Sequence, residues 1–305
     1  MSTSTTTPPT TPHPHTGQEE VTSPPTPVPG VLLHCSGPLQ SWGHHSQFNQ
    51  RDTARFPTRS GIIGLLAAAL GRNRSAAIDD LAELHTTIRV DRPGVLLRDL
   101  HTVGGGLPPA QTVTTAQGKK RSADTATLLS HRYYLADAAF TVAITATDNN
   151  PKQATLLAEC TAALRTPHWP PYLGRRSCPP AGPLLLASTS DALHHLVHLP
   201  IAACAPRNDA AAPAVDFLAD QPLDQLPLPE GIPASDPADA SQPTARINDQ
   251  PVTFHPRQRT YRARSLYRRT YTPPARQWGG LGTDYLTSLA TYHRQHLSTS
   301  EGSRP

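Results

Sequence analysis

RDTARFPTRSGIIGLLAAALG, residues 51–71, decides how this chain is read. Arginines at 51, 55 and 59 lead through Pro57 to Ser60, which stands where a helix N-cap belongs. A wholly apolar run follows and stops at Gly71, the position of a C′ glycine. A helix that is apolar all round belongs in a core, so only its start reaches the surface, beneath the guanidinium groups. Free backbone N–H groups at a helix start, joined by arginines, suit an anion such as phosphate. The spacing fits equally well a buried core helix whose arginines are merely solvated.

Outward from this helix, Val31–Cys35 reads as a short strand before a Gly-Pro turn. Ile78–Leu84 is a second helical piece, and Thr86–Val90 a strand ending at the Arg92-Pro93-Gly94 turn. Patterning weakens from Leu96 to Leu129, where GGG at 104–106, Pro108-Pro109 and Lys119-Lys120-Arg121 suggest a long exposed hairpin or loop. Ala139–Thr147 alternates as a sheet strand does. Lys152–Leu164 is amphipathic, with Leu156, Leu157, Cys160 and Leu164 on one face, and Leu184–Ala187 is a further strand. Strand, helix, strand, hairpin, strand, helix, strand suits an α+β sandwich of the ferredoxin-like kind over residues 30–204. Residues 1–29 lack any apolar period and read as a disordered tail. Residues 205–250, rich in Pro, Ala and Asp, read as an exposed acidic insertion. Residues 251–276 form a small C-terminal β segment with interleaved arginine and tyrosine, and 277–305 a loosely ordered end.

The net charge of +4 hides an uneven distribution. Asp209, Asp216, Asp220, Asp224, Glu230, Asp236, Asp239 and Asp249 all fall in the 205–250 segment, so the rest of the chain is markedly basic. That balance points to a polyanionic partner. Cys35, Cys160, Cys178 and Cys204 form no CxxC pair, which argues against zinc or a disulfide framework and for a reducing cytoplasm. No secretory pattern occurs, and Ile62–Leu70 is too short to span a bilayer, so a soluble protein without membrane contact is expected. His194, His195 and His198 could face a metal, but without an HExxH glutamate they read as solvated histidines. Neither a metal nor another cofactor is called for.

GPLQSWG, RFPTRSGIIGLLAAALG, RDLHTV, YLADAAFTVAI and YLGRRSCPP occur in this order between residues 37 and 180. On these motifs the chain resembles the Cas-five-type (CasD) family, subunits of the type I-E CRISPR effector Cascade. The resemblance covers about residues 30–276, leaving out the tail, the acidic insertion and the end. It implies an RRM-like, RAMP-type fold with a thumb hairpin at about 96–129. It also implies a non-catalytic subunit that holds the 5′ handle of the crRNA, caps the backbone subunits, touches the large subunit and meets target DNA only through the complex. The expected RNA-binding residues are Arg55, Arg59, Ser60 and Gly61 at the helix start; Arg98, His101, Lys119, Lys120 and Arg121 along the thumb; Arg132 before the alternating strand; and Arg175 and Arg176 after the glycine turn. Trp42 reads as core. The competing reading is a metal-independent endoribonuclease acting on CRISPR repeat RNA, with His101 and Lys119 or Tyr133 as acid and base.

Overall fold

Strands β1 (Gly30–Ser36) and β7 (Ala139–Thr145) are buried on both faces, and the remainder of the chain is layered around them. The computed structural model describes residues 26–44, 49–115, 118–122, 126–147, 150–206 and 213–297. The two strands pair antiparallel in an unbroken register from Gly30–Thr145 to Ser36–Ala139. Alternation divides their side chains between two cores. Val31, Leu33, Phe140, Val142 and Ile144 meet helix α1 (Arg59–Ala69) and helix α3 (Pro151–Arg165). Leu32 and Ala143 face the other way, toward helix α4 (Ala192–His198).

Strand β4 (His85–Arg92) lies on the far side of β7, and β8 (Leu185–Thr189) on the far side of β1. The chain therefore runs β1–α1–β4 and later β7–α3–β8, with both crossover helices on one face. The short helix α2 (Asp79–Glu83) precedes β4. A second sheet joins β2 (Leu39–Gln40), β3 (Gln50–Arg51), β5 (Val95–Val103) and β6 (Leu128–Ala136). Strands β5 and β6 form one long antiparallel hairpin, and residues 96–129 fall within it and its connection. Val95, Leu96, Leu97, Leu100 and Leu129 on this hairpin are exposed.

The C-terminal third departs from the sequence expectation. Residues 213–250 are not an excluded acidic insertion. Strand β9 (Val215–Ala219) pairs with β4 on one side and with β11 (Thr260–Tyr271) on the other, and Phe217 is fully buried. Helix α5 (Pro237–Ala240) and strand β10 (Ala245–Thr253) follow, so the large sheet runs β10-β11-β9-β4-β7-β1-β8. Residues 251–276 accordingly belong to that sheet rather than to a separate part. The misreading has a physical cause: three acids of this segment pair with arginines, two of them in the buried interior. Asp216 pairs with Arg268, Asp220 with Arg59, and Asp249 with Arg264.

The chain end is also better packed than its composition suggests. Helix α6 (Gly282–Tyr292) docks through buried Tyr285, which packs with Ala139 and Ala202, and a last turn, His293–Leu297, reaches the second core through buried Leu297. Residues 1–25, 207–212 and 298–305, which include most of the expected tail, lie outside the described residues. Val28 already contacts the body, its carbonyl accepting from the Ala192 N–H at 2.7 Å.

Phe217→Ala should lower stability by about 3–5 kcal/mol in urea unfolding; an unchanged midpoint would restore the insertion reading. Acid should weaken the α6 docking. The His34 ring packs at a tilt against Tyr285, 4.9 Å between centroids, and His195 Nδ1 lies 2.9 Å from the Tyr292 hydroxyl. Burial pulls both imidazoles from 6.5 down to about 4, so they are neutral when folded. The unfolded chain takes up those protons first. Stability is thus complete above about pH 6.5 and falls as the pH drops toward about 4. Urea midpoints measured across that window should decline, and His34→Gln should flatten the decline.

Candidate nucleic-acid interface

The start of α1 is closed from inside. Its N-cap is Thr58 rather than Ser60: the Thr58 hydroxyl accepts from the Gly61 N–H at 3.3 Å. The Arg59 N–H donates to Asp249 Oδ2 at 2.7 Å. A carboxylate from β10 therefore occupies the position in which a phosphate was expected.

Arg59 itself points inward and is only 4% exposed. Its guanidinium pairs with Asp220 and donates to Thr86 Oγ1 at 3.1 Å and to the carbonyls of Ala82 and Leu84 at 2.8 and 2.5 Å. Burial, then Arg264, lowers its pKa to about 10, which still leaves it charged at neutral pH. Arg59 is a structural cation and is removed from the RNA-binding set. Gly61 is explained by packing, because a Cβ there would sit 2.6 Å from the Trp42 ring, which is buried as expected.

The other expected residues divide into two places. Gly174, at φ +88°, turns the YLGRRS segment sharply, and any Cβ there would collide with the Ser41 carbonyl. Arg175 then folds back over the Tyr134 ring, 4.8 Å from its centroid. It donates to the carbonyls of Tyr133, Arg51 and Asp52 at 3.1, 2.7 and 3.2 Å, tying the glycine turn to β3 and β6. Arg176 diverges into solvent.

Beside this turn runs a groove of about 700 Å³ along α1. Ser60, Gly61 and Gly64 line its floor, and Arg51, Arg72, Arg74, Arg175, Arg176 and Arg259 its walls. Trp169, Tyr172 and Tyr261 supply aromatic surface, and no Asp or Glu is among the lining residues described. Cations without carboxylates, interleaved with aromatic rings, suit a single-stranded polyanion whose bases stack.

The remaining residues stand on or near the β5–β6 hairpin. Paired positions share a face, so Arg98 lies with Tyr133, whereas Asp99 and His101 lie with Arg132 and Ser130 on the opposite face. His101 Nε2 is 2.6 Å from Asp99 Oδ2. His101 and Tyr133 thus do not converge as an acid–base pair. Lys119 and Lys120 are exposed on the connecting loop, where Lys120 donates to the Thr112 carbonyl at 3.0 Å and the Arg121 carbonyl accepts from Thr112. Arg55 is exposed ahead of α1 and outside the groove lining. His194 and His198 stack on one another at 4.1 Å, and no group of three or more His, Cys, Asp or Glu side chains with metal-binding geometry occurs among the described residues. No helix among them is long and apolar enough to cross a membrane.

Sequence reasoning missed Arg72, Arg74 and Trp169. The available signals were the cationic GRNR turn directly after the core helix and a tryptophan set between prolines in PHWPP.

The architecture is that of a mixed α+β protein with antiparallel sheets and a cationic groove. The chain belongs to the Cas5 family of CRISPR-associated proteins. Residues 30–267 match the family model described as "CRISPR-associated protein (Cas_Cas5)". A curated relative, the CRISPR system Cascade subunit CasD of Escherichia coli (strain K12), is 38% identical over 162 residues, covering 52% of this chain and 70% of the relative. Among solved structures, a chain of a CRISPR RNA-guided surveillance complex superposes with a TM-score of 0.71 at 39% identity, covering 87% of this chain and 100% of that one. A Cas protein crystal structure superposes with a TM-score of 0.51 at 28% identity, covering 83% and 99%.

Breaking the internal ion pair should be costly. Arg59→Ala and Asp220→Asn should each reduce stability by about 3–5 kcal/mol, since each strands a buried partner. Arg55→Ala, at an exposed site, should change it by no more than about 0.5 kcal/mol. Chemical denaturation of the three variants checks both figures.

Proposed function

We propose that this protein is a non-catalytic RNA-binding subunit of a type I-E CRISPR effector, Cascade, acting in the cytoplasm and holding the 5′ handle of the crRNA in the groove along α1. The observation that carries this reading is the groove itself, with arginines on its walls, aromatic rings among them and no carboxylate among the described lining residues. Family membership and the likeness to a chain of an RNA-guided surveillance complex support the RNA and the assembly. The β1–α1–β4 and β7–α3–β8 order supports the ferredoxin-like, RAMP-type reading of the fold.

Arg51 and Arg176 lie at the glycine-turn wall as backbone-phosphate contacts, and Arg175 positions that wall. Arg98 on one face of the thumb, Arg132 and His101 on the other, and the Lys119–Arg121 run of its connection extend the contact. The exposed Leu96, Leu97, Leu100 and Leu129 of the same hairpin fit burial against backbone subunits. Target DNA is met through the complex rather than by a site of this chain.

Copurification tests the assignment: isolation with repeat-derived guide RNA and large partner subunits supports it, whereas mixed cellular RNA opposes it. Incubation with repeat RNA in EDTA tests the ribonuclease reading; specific cleavage lost on His101→Ala would overturn the non-catalytic one. Arg176→Ala should weaken RNA binding and reduce the slope of log K against log salt by about 0.7, one phosphate contact on a single strand. A titration at several salt concentrations that leaves the slope unchanged would remove Arg176 from the interface.

A further inference from the structure

We propose that Trp169 is a nucleobase-stacking platform, so that the end of the groove beyond α1 binds one base of the RNA strand rather than its phosphates. The proposal rests on the RNA-groove reading above and adds to it a subsite of different chemistry.

Trp169 is 41% exposed and lines the groove where α1 ends. An exposed indole on a flexible loop would carry no meaning, but this one is rigidly mounted. The N–H groups of His168 and Trp169 donate to the carbonyls of Ala69 and Ala68 at 2.9 and 3.3 Å, satisfying the last carbonyls of α1. Pro167 and Pro170 flank the pair and restrict its backbone. The His168 ring packs against the indole in a T-shaped arrangement, 4.8 Å between centroids and 75° between planes, and the indole keeps exposed surface for another partner. His168 is itself seated against Gly71, whose φ of +72° ends α1, and a Cβ on that glycine would lie 2.8 Å from the imidazole. The end of the core helix therefore fixes the orientation of the tryptophan.

The neighbouring cations fit the same division of labour. The Arg72 guanidinium is held by both oxygens of Asp80 at 2.6 Å. Arg74 is exposed and makes no hydrogen bond or ion pair with any described residue, so it is placed to meet the phosphate beside a stacked base. A fixed aromatic face binds a base with little loss of side-chain freedom, and such stacking typically contributes about 1–3 kcal/mol per base.

The test uses the full chain with two probes, an octa-adenylate RNA and an eight-unit ribose-phosphate strand lacking bases. Octa-adenylate should quench tryptophan emission, and Trp169→Phe should abolish most of that quenching while retaining most of the affinity. Trp169→Ala should weaken octa-adenylate binding by about 5- to 150-fold and leave the abasic strand unaffected. Arg176→Ala should weaken both. If octa-adenylate binds but Trp169→Ala changes neither probe, or both equally, the stacking site is wrong and the groove reading survives. If Trp169→Ala leaves RNA binding intact and costs only assembly with other subunits, the indole is a protein contact and the proposal is overturned. If the wild-type chain binds neither probe, the groove reading itself fails.

Discussion

A guanidinium withdrawn from water must be matched by carboxylate and carbonyl oxygens, and the cluster around Arg59 supplies them to its two terminal nitrogens by drawing distant segments together. Asp220 arrives from the end of β9, Thr86 from β4, and the carbonyls of Ala82 and Leu84 from the end of α2. Asp249 of β10 takes the Arg59 N–H and the Arg264 guanidinium at the same time. Removing one member would leave an uncompensated buried charge, so the cluster holds as a unit. It fastens the late strands of the chain to the start of α1, and the floor of the groove inherits that position.

A second buried arginine performs the corresponding task on the opposite face of the sheet. Arg89 of β4 is fully buried, with Asp91 accepting from its guanidinium at 2.6 and 3.2 Å. Its remaining N–H groups donate to the carbonyls of Leu196 and Leu199 at 2.7 Å and of Pro200 at 2.8 Å, closing the C-terminal end of α4. These two arginines fix the layers above and below one sheet, while the arginines left outside, Arg51, Arg74, Arg176 and Arg259, gather along the groove. The basic composition thus serves two purposes, and only burial separates them.

The α+β character, the core helix, the β1 and β7 strands and the amphipathic α3 were legible in the chain because each rests on local periodicity. Buried strands read as apolar runs, and Leu156, Leu157, Cys160 and Leu164 fall on one helical face whatever lies around them. Strand β9 was not legible. VDFLA is short, and its surroundings of proline and aspartate resemble linker composition, because composition does not record which carboxylate will find an arginine. Tyr285 and Leu297 escaped notice for a related reason, since the few apolar side chains that dock this end are spread among polar residues.

The sequence by itself determined the elements, the family motifs and the excess of arginine, all properties of neighbouring residues. Tertiary structure alone decided which arginines are buried and which line the groove. Arg59 and Arg176 belong to similar basic motifs, yet one is neutralised by acids more than 150 positions away and the other stands in solvent. Charge pairing depends on distance in space and on dielectric surroundings, and neither is encoded in the spacing of residues along the chain.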